Sequence, residues 1–273
     1  TAASLNNLAR LYHAQGRYPD AEAIYRRVLR ITEQAFGPDH SAVATGLNNL
    51  ACLYHDLGRS SEAEALLRRA LRINELGAGA EAPALLATLG NLASVVRALG
   101  RPAEAEALLR RALAICEKSV GADGPDAANL HNNLGAVYSA LGQYEAAEGE
   151  LLKAAEIYLR VLGTRHPTTA TALSNLARVQ QTRGRYVEAA VLCRRALECR
   201  LRTLGPDHPL TASSLRHLAD LAAAVGNQEE SRLLLKRAVR AENAIAATVF
   251  AASTRRQRRD FAALLADTTD DLL

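Results

Sequence analysis

The sequence predicts an all-α protein, a solenoid of six 42-residue helix-turn-helix repeats, and three observations support this fold class. Glycine recurs every 42 residues, and internal repetition at a period of about 20–50 residues is typical of solenoids and arrays. Alanine and leucine, which favour helices, dominate the composition. No long run is enriched in the β-branched and aromatic residues that strands prefer. The first set of glycines is Gly16, Gly58, Gly100, Gly142, Gly184 and Gly226, and the second is Gly37, Gly79, Gly121, Gly163 and Gly205.

Each repeat is expected to contain two helices, A and B. In the second repeat the helical spacing of apolar residues predicts helix A over residues 41–57 and helix B over residues 60–76. Gly58 follows helix A, where a glycine in the left-handed conformation closes a helix. Ser60 or Ser61 is expected to cap helix B through its hydroxyl.

The same pattern sets the predicted repeat borders. The six repeats are expected at residues 1–36, 37–78, 79–120, 121–162, 163–204 and 205–243, followed by a C-terminal helical extension or connector at 244–273. Helix B of the last repeat is expected to run on towards Phe250. Thr254 and Gln257 then fit a capping box that would start a further amphipathic helix.

We call the residues at equivalent positions of the six repeats a column. Most columns hold apolar or small residues, as packing requires, but one column is polar. That column is Asn7, Asn49, Asn91, Asn133 and Asn175, and it ends at His217. An amide side chain has donors and an acceptor, so it can pair with the backbone of an extended peptide of any sequence. Alternatively, these asparagines bond the neighbouring helix and only hold the stack together, because buried polar groups are normally hydrogen-bonded. The sequence favours neither interpretation.

The amino-acid composition argues against some classes of partner and indicates a cellular compartment. The formal net charge is +4, but the arginines are spread at the repeat spacing, which argues against a nucleic-acid partner. No stretch of about 18 apolar residues occurs, so we expect no transmembrane helix and no membrane partner. The four cysteines are Cys52, Cys116, Cys193 and Cys199. They contain no C-x-x-C pair, which indicates free thiols in a reducing, cytoplasmic compartment.

Histidines in the loops before three A helices raise the question of a metal site. His40, His166 and His208 belong to different repeats, and His40 and His166 are three repeats apart, too far to share one ion. We therefore expect these side chains to cap loops, and we expect no metal and no cofactor.

Arginine doublets recur along the B helices and are expected on solvated helix faces. Glutamate precedes arginine by four residues in Glu22–Arg26, Glu64–Arg68 and Glu106–Arg110, the favourable orientation for ion pairs on a helix. A stripe that binds a polyanion is the alternative interpretation of these arginines.

Several columns together resemble a known family. Residues 163–177, G-T-R-H-P-T-T-A-T-A-L-S-N-L-A, are similar to the first half of the tetratricopeptide (TPR) repeats of the kinesin light chain type, in a bacterial form. Tyr12, Gly16, Tyr18 and Ala21 match the second half, and the resemblance covers about residues 1–243. It implies a right-handed superhelix whose A helices line a concave groove that binds a protein or an extended peptide.

The resemblance also implies which residues face that groove. They are Asn6, Asn7, Asn48, Asn49, Asn91, Asn132, Asn133 and Asn175, with Arg10, His55, Arg97, Arg178 and Arg216 as further polar or charged contacts. The arginines would add charge-assisted hydrogen bonds to an acidic ligand.

Catalysis is not expected within this chain. No Ser–His–Asp or Cys–His arrangement stands out, His131 and Cys116 fall on different helices, and a repeat array offers no closed pocket of the kind that small-molecule chemistry prefers. We therefore expect a non-catalytic protein- or peptide-binding scaffold, with the sensor or regulatory arm of a larger effector as one hypothesis. A purely structural spacer is an alternative.

The C-terminal segment adds a second resemblance. Phe250, Ser253, Arg256 and Gln257 are similar to the connector that precedes a CHAT (caspase-like) protease domain in bacterial TPR proteins. This resemblance implies an effector domain in cis and gives a further alternative, the N-terminal part of a TPR-CHAT protease whose catalysis lies outside this chain.

Overall fold

A computed structural model describes the backbone of residues 2–252 and the side chains of residues 2–244 and 246. Within these residues all regular structure is helical, which confirms the predicted all-α class. The helices are α1 (Ala2–Ala14), α2 (Tyr18–Phe36), α3 (Ser41–Asp56), α4 (Ser60–Ala78), α5 (Leu86–Ala98), α6 (Pro102–Ser119), α7 (Pro125–Ala140), α8 (Tyr144–Val161), α9 (Pro167–Thr182), α10 (Tyr186–Thr203), α11 (Pro209–Ala224) and α12 (Gln228–Ala252). A 3₁₀ turn, Pro83–Leu85, precedes α5.

The helices form two compact units, of which unit 1 ends at Val161 and unit 2 begins at Leu162. In unit 1 the odd-numbered A helices α1, α3, α5 and α7 each pack against the B helix that follows, and α2, α4 and α6 pack against the next A helix. In unit 2 the same arrangement joins α9 to α10, α10 to α11, and α11 to α12. The predicted repeat borders and the extension at 244–273 stay predictions. The expected capping box at Thr254 and Gln257 lies outside the described residues.

The turn from helix A to helix B shows why glycine is required. Gly58 has a φ of +73°, a left-handed conformation that side chains other than glycine rarely adopt. The backbone N–H of Arg59 then donates to the carbonyl of Tyr54 (2.8 Å), which closes the end of α3. The serine cap expected at the start of α4 is wrong, because Arg59 takes the N-cap position and makes no side-chain cap bond. Its guanidinium binds Glu62 in the first turn instead (2.6 Å).

The loop histidines do cap the A helices, as the sequence predicted. The Nδ1 atoms of His40, His166 and His208 accept hydrogen bonds from the backbone N–H two residues later, at 3.1, 3.2 and 3.1 Å. These bonds satisfy helix donors that would otherwise lack a partner. The expected Glu–Arg pairs along the B helices also form, at 2.8 Å for Glu22–Arg26 and 2.7 Å for Glu64–Arg68.

The core of each unit consists of columns of small residues and columns of leucine. The alanine column Ala21, Ala63, Ala105, Ala147 and Ala189 is fully buried. In the leucine column the internal members Leu50, Leu92, Leu134, Leu176 and Leu218 are at most 3% exposed, whereas Leu8 of the first repeat is 38% exposed. Small residues let the helices approach closely, so leucines from the facing helix fill the remaining space.

Candidate functional site

The asparagine column lies on the A helices, and in the first three repeats it forms hydrogen bonds between repeats. Asn49 Nδ2 donates to Asn6 Oδ1 (2.9 Å), and Asn91 Nδ2 donates to Asn48 Oδ1 (3.2 Å). All four side chains are half-buried. Because an amide has two N–H donors and an acceptor with two lone pairs, each pair retains hydrogen-bonding capacity for a further group. We call these four residues the amide row.

The amide row stops before the fourth repeat, and Gly90 explains why. Gly90 takes the position that Asn6 and Asn48 hold in the first two repeats, so it offers Asn133 no side-chain acceptor. A Cβ atom on Gly90 would lie 3.8 Å from Asn133 Nδ2, which shows that the two positions face each other. Asn133 donates instead to Asn129 Oδ1 on its own helix (3.2 Å).

The remaining predicted residues of unit 1 differ in their surroundings. Asn7 and Arg10 are exposed on α1, whereas Asn132, Arg97 and His55 are half-buried. The buried Nδ1 atom of His55 has no hydrogen-bond partner within the part of the chain that the structure describes. The role of these residues in binding stays a prediction.

Two predicted cations of unit 2 already contact polar side chains. Arg178 donates to Asn175 Oδ1 on the same helix (3.2 Å). Arg216 forms a bidentate pair with Glu242 of α12, at 2.6 and 2.5 Å. A ligand would have to displace Glu242 before Arg216 could bind it, because a bidentate carboxylate occupies the guanidinium fork.

A recess of about 420 Å³ opens in unit 1 between α1, α2 and α3. Arg10, Tyr25 and Asn49 line it, and His13 Nε2 is 2.7 Å from the Asp56 carboxylate at its wall. Tyr25 is 2% exposed, and burial raises the pKa of its phenol although the charge of Arg10 opposes this shift. The phenol is therefore a protonated donor at neutral pH. The sequence did not predict this recess, which is open to solvent, whereas the expectation concerned only a closed pocket.

A pair formed by the buried Cys193 and the half-buried His217 was also not predicted from the sequence. Cys193 Sγ lies 3.3 Å from His217 Nδ1, and His217 Nε2 lies 2.7 Å from Gln181 Oε1. Burial raises the pKa of Cys193 to about 11 and lowers the pKa of His217. The pair is thus a neutral thiol beside a neutral imidazole at pH 7, whereas a catalytic cysteine needs a depressed pKa.

Two polar side chains, His131 and Arg200, are buried in the packing between helices, which the sequence did not reveal either. His131 Nδ1 lies 2.5 Å from Glu150 Oε2 in unit 1, so His131 does have a charged neighbour. In unit 2 Arg200 is 5% exposed and donates from Nη1 to Ser214 Oγ and to the Leu210 carbonyl (3.4 Å). The signal was available as a departure from the repeat, because leucine stands at the His131 position in the five other repeats.

Among the described residues, no helix is both long and apolar enough to cross a membrane. The comparison with curated proteins gives no match.

Solved structures with this fold include several repeat proteins. BtubC (BKLC) from P. vanneervenii is 22% identical with a TM-score of 0.67, and the alignment covers 90% of this chain and 92% of that one. A putative kinesin light chain from Podosopora anserina with nearly identical TPR-like repeats is 28% identical with a TM-score of 0.61, covering 74% and 96%. A thermophilic TPR protein from Thermus thermophilus is 21% identical with a TM-score of 0.58, covering 82% and 99%.

The tetratricopeptide repeat model matches residues 1–75, 84–159, 127–200 and 168–243. These matches span most of the chain and agree with the paired helices and the 42-residue glycine spacing. The chain therefore belongs to the tetratricopeptide repeat family.

Proposed function

We propose that the A helices of unit 1 bind an extended segment of a partner protein and that the chain itself is non-catalytic. The amide row carries this proposal, because Asn6, Asn49, Asn48 and Asn91 are linked in pairs and remain partly exposed to solvent. Amides held by one hydrogen bond are oriented, so less side-chain entropy is lost when a peptide backbone binds them.

The two interpretations of the asparagines are combined in this proposal. The bonds between Asn49 and Asn6 and between Asn91 and Asn48 join adjacent repeats, as the packing interpretation requires. The bond from Asn49 uses one of its two N–H donors, which leaves the second for a peptide carbonyl. Asn91 Nδ2 also contacts Cys52 Sγ (3.3 Å), a weak acceptor that a peptide carbonyl can displace. A backbone-reading surface of this kind selects for extended conformation rather than for a particular side chain.

Site-specific photo-crosslinking tests the proposal. A benzoylphenylalanine residue at Asn7, exposed on α1, is expected to form adducts with a partner in a lysate of the native host, and mass spectrometry identifies the partner segment. The matched control places the same residue at Arg27, which is also exposed but lies on the B helix of the same repeat. We expect adducts at Asn7 and only background at Arg27.

A second variant tests whether the asparagines of the amide row bind the partner or only stabilise the packing of the repeats. Asn48→Ala with Asn91→Ala removes one linked pair of the amide row, and we expect the Asn7 adduct to weaken while the helical circular-dichroism signal is retained. Equal amounts of adduct at Asn7 and Arg27, or an undiminished amount of Asn7 adduct in the double variant, would contradict the proposal. The chain would then be a structural spacer whose asparagines only stabilise the packing of the repeats.

The more specific roles are hypotheses of the same proposal. The similarity of residues 250–257 to a CHAT connector supports an effector domain in cis, for which the repeats would act as sensor or regulatory arm. Four cysteines without a disulfide among the described residues support a cytoplasmic location.

A further inference from the structure

One side of α12 lacks the cover that the same side of an earlier B helix has. In α10, Cys193 and Leu197 are buried in one cluster with leucines of the following A helix, α11. The equivalent residues of α12, 42 positions later, are Leu235 and Val239, which are 36% and 45% exposed. We call the surface around these two residues the open face of α12.

The turn that would begin another A helix is also missing after α12. Gly205 has a φ of +87° in the loop between α10 and α11, whereas the equivalent residue is Ala247 and α12 runs on to Ala252. At the 42-residue spacing, Asp260 would fall in the leucine column and Phe261 in the alanine column. The sequence after α12 therefore does not continue the repeat in register, and a different segment has to cover the open face.

The open face is bordered by a row of unpaired cations. Arg232, Lys236 and Arg240 are exposed and form no ion pair with any residue that the structure describes. Arg232 and Lys236 each precede an apolar residue of the open face by three positions, so they are its neighbours on the helix surface. In α2, α4 and α6 the position of Arg232 holds a glutamate that pairs with the arginine four residues later. Like charges at this spacing repel, so the row favours an acidic partner.

Earlier repeats show which group compensates the central cation of this row. Arg68 and Arg194 stand at the position of Lys236 in α4 and α10. Arg68 binds Glu104 of the following B helix at 2.7 Å, and Arg194 binds Glu230 of the following B helix at 2.8 Å. The segment that covers the open face should therefore supply carboxylates as well as apolar side chains.

The sequence that follows α12 has this composition. Residues 260–273, D-F-A-A-L-L-A-D-T-T-D-D-L-L, contain Phe261, four leucines and four aspartates, and no basic residue. They lie outside the described residues, but the connection is long enough. Val239 and Ala252 are 13 residues apart, about 20 Å along a helix. The 12 residues from 253 to 264 span up to about 40 Å when extended, so the following residues can reach back to the open face.

We propose that residues 260–273 bind the open face of α12 within the same chain. Their leucines cover Leu235 and Val239, and their aspartates pair with Arg232, Lys236 and Arg240. A second copy of α12 is a poorer occupant, because two open faces would bring like charges together. The proposal does not rest on peptide binding by unit 1, since α12 belongs to unit 2.

Photo-crosslinking of the full chain tests the proposal. With benzoylphenylalanine at Val239, we expect an adduct to residues 260–273 in a protein that keeps the mass of one chain. Trypsin cleaves after Arg259 and releases these residues as one peptide, so mass spectrometry identifies the adduct. The matched control places the crosslinker at Leu233, which is 57% exposed on the same helix but about 120° from Val239 around the helix axis. We expect only background there.

Charge variants test the role of the cation row. The triple variant Asp267→Asn, Asp270→Asn, Asp271→Asn and the double variant Arg232→Gln, Lys236→Gln should each lower the adduct yield at Val239 at least about threefold, because several ion pairs are lost together. The matched control is Arg27→Gln with Arg30→Gln. It removes two exposed arginines of α2 and should leave the yield unchanged. Circular dichroism checks that every variant keeps its helical content.

Three results would overturn the proposal. The first is no adduct to residues 260–273 at Val239, or an equal amount at Leu233. The second is an adduct between two chains whose yield rises with protein concentration, which would make a second copy the occupant. The third is an undiminished yield in the triple asparagine variant, which would mean that charge does not hold the segment. Crosslinking at Asn7 tests the groove of unit 1 separately, so the two proposals can fail independently.

Discussion

Two buried polar clusters, one in each unit, show how differently the same repeat accommodates charge. In unit 1 His131 and Glu150 occupy positions where the other repeats have two apolar residues, and each is the other's partner at 2.5 Å. Lys153 adds a second contact to Glu150 at 3.1 Å. The charges of this cluster are therefore compensated within the unit.

In unit 2 Arg200 is buried without a carboxylate partner among the described residues. Its Nη1 atom donates to Ser214 and Leu210, which are neutral acceptors, and its Nε atom has no acceptor there. Burial lowers the pKa of the guanidinium, yet arginine stays protonated in proteins. The two clusters therefore differ in how charge is compensated: a carboxylate faces His131, whereas only neutral acceptors face Arg200, and we expect that difference to lower the stability of unit 2.

The largest effect is expected from Arg200→Met. Removing a buried charge without a carboxylate partner while keeping the aliphatic volume should stabilise unit 2 by about 1–4 kcal/mol, the range seen when buried ionic groups become apolar. Urea denaturation followed by circular dichroism measures the change. Arg195→Met, at an exposed arginine of the same helix, should change stability by less than about 0.5 kcal/mol. Destabilisation by Arg200→Met would mean that its bonds to Ser214 and Leu210 outweigh the burial of the charge.

A double-mutant cycle tests the pairing of His131 with Glu150. His131→Leu alone leaves Glu150 half-buried with only Lys153 as its partner, and should destabilise unit 1 by about 1–3 kcal/mol. The double variant His131→Leu, Glu150→Leu restores the residue pair of the second and third repeats and should recover most of that loss. Chemical denaturation of all four proteins gives the coupling energy, and additive effects would contradict the pairing.

Gly135 permits the close approach of α7 and α8 on which the His131–Glu150 contact depends. A Cβ atom there would lie 2.5 Å from Leu151 Cγ, so Gly135→Ala should destabilise unit 1 by about 1–3 kcal/mol. The matched substitution Gly90→Ala meets no atom closer than 3.6 Å and should stabilise α5 by about 0.5–1 kcal/mol. Thermal unfolding should therefore shift in opposite directions, and equal shifts would refute the packing explanation.

The smallest effect is a difference in pH dependence. Burial raises the pKa of the Glu150 carboxyl, but the hydrogen bonds from His131 and Lys153 outweigh it, so the pKa lies below its ordinary value. The associated stability is present above about pH 4.3, the unfolded value, and is lost as the pH falls through the folded value. The wild type should therefore lose stability more steeply between about pH 5 and pH 3 than the double leucine variant. Parallel curves from thermal melts would contradict this.

Much of the fold could be predicted from the sequence, because the same local interactions recur in every repeat. Glycine every 42 residues predicted the turn at Gly58, whose φ is +73°. The helical spacing placed helix A and helix B of the second repeat within two residues of α3 and α4. The serine cap of helix B was wrong, since an ion pair between Arg59 and Glu62 takes its place.

The candidate site was predicted only in part. The asparagine column identified the polar side of the A helices, but its bonds depend on which residue faces it from the preceding repeat. Asn91 donates a hydrogen bond to Asn48, whereas the residue that faces Asn133 is Gly90, which has no side-chain acceptor. In both cases the facing residue lies 43 residues earlier in the chain. The recess depends on three helices at once, and nothing in the sequence indicated that Tyr25 would line it.

The sequence by itself determined the periodicity, the approximate helix ends of the second repeat and the family, because glycine conformations, helix propensity and apolar spacing act over a few residues and repeat along the chain. Tertiary structure alone decided how polar side chains are compensated. Whether a buried His131 or Arg200 is satisfied depends on the atoms that surround it from other helices. A hydrogen bond requires its donor and acceptor within about 3.5 Å, and a charge interaction weakens with distance, so these partners are defined only when the helices are packed together.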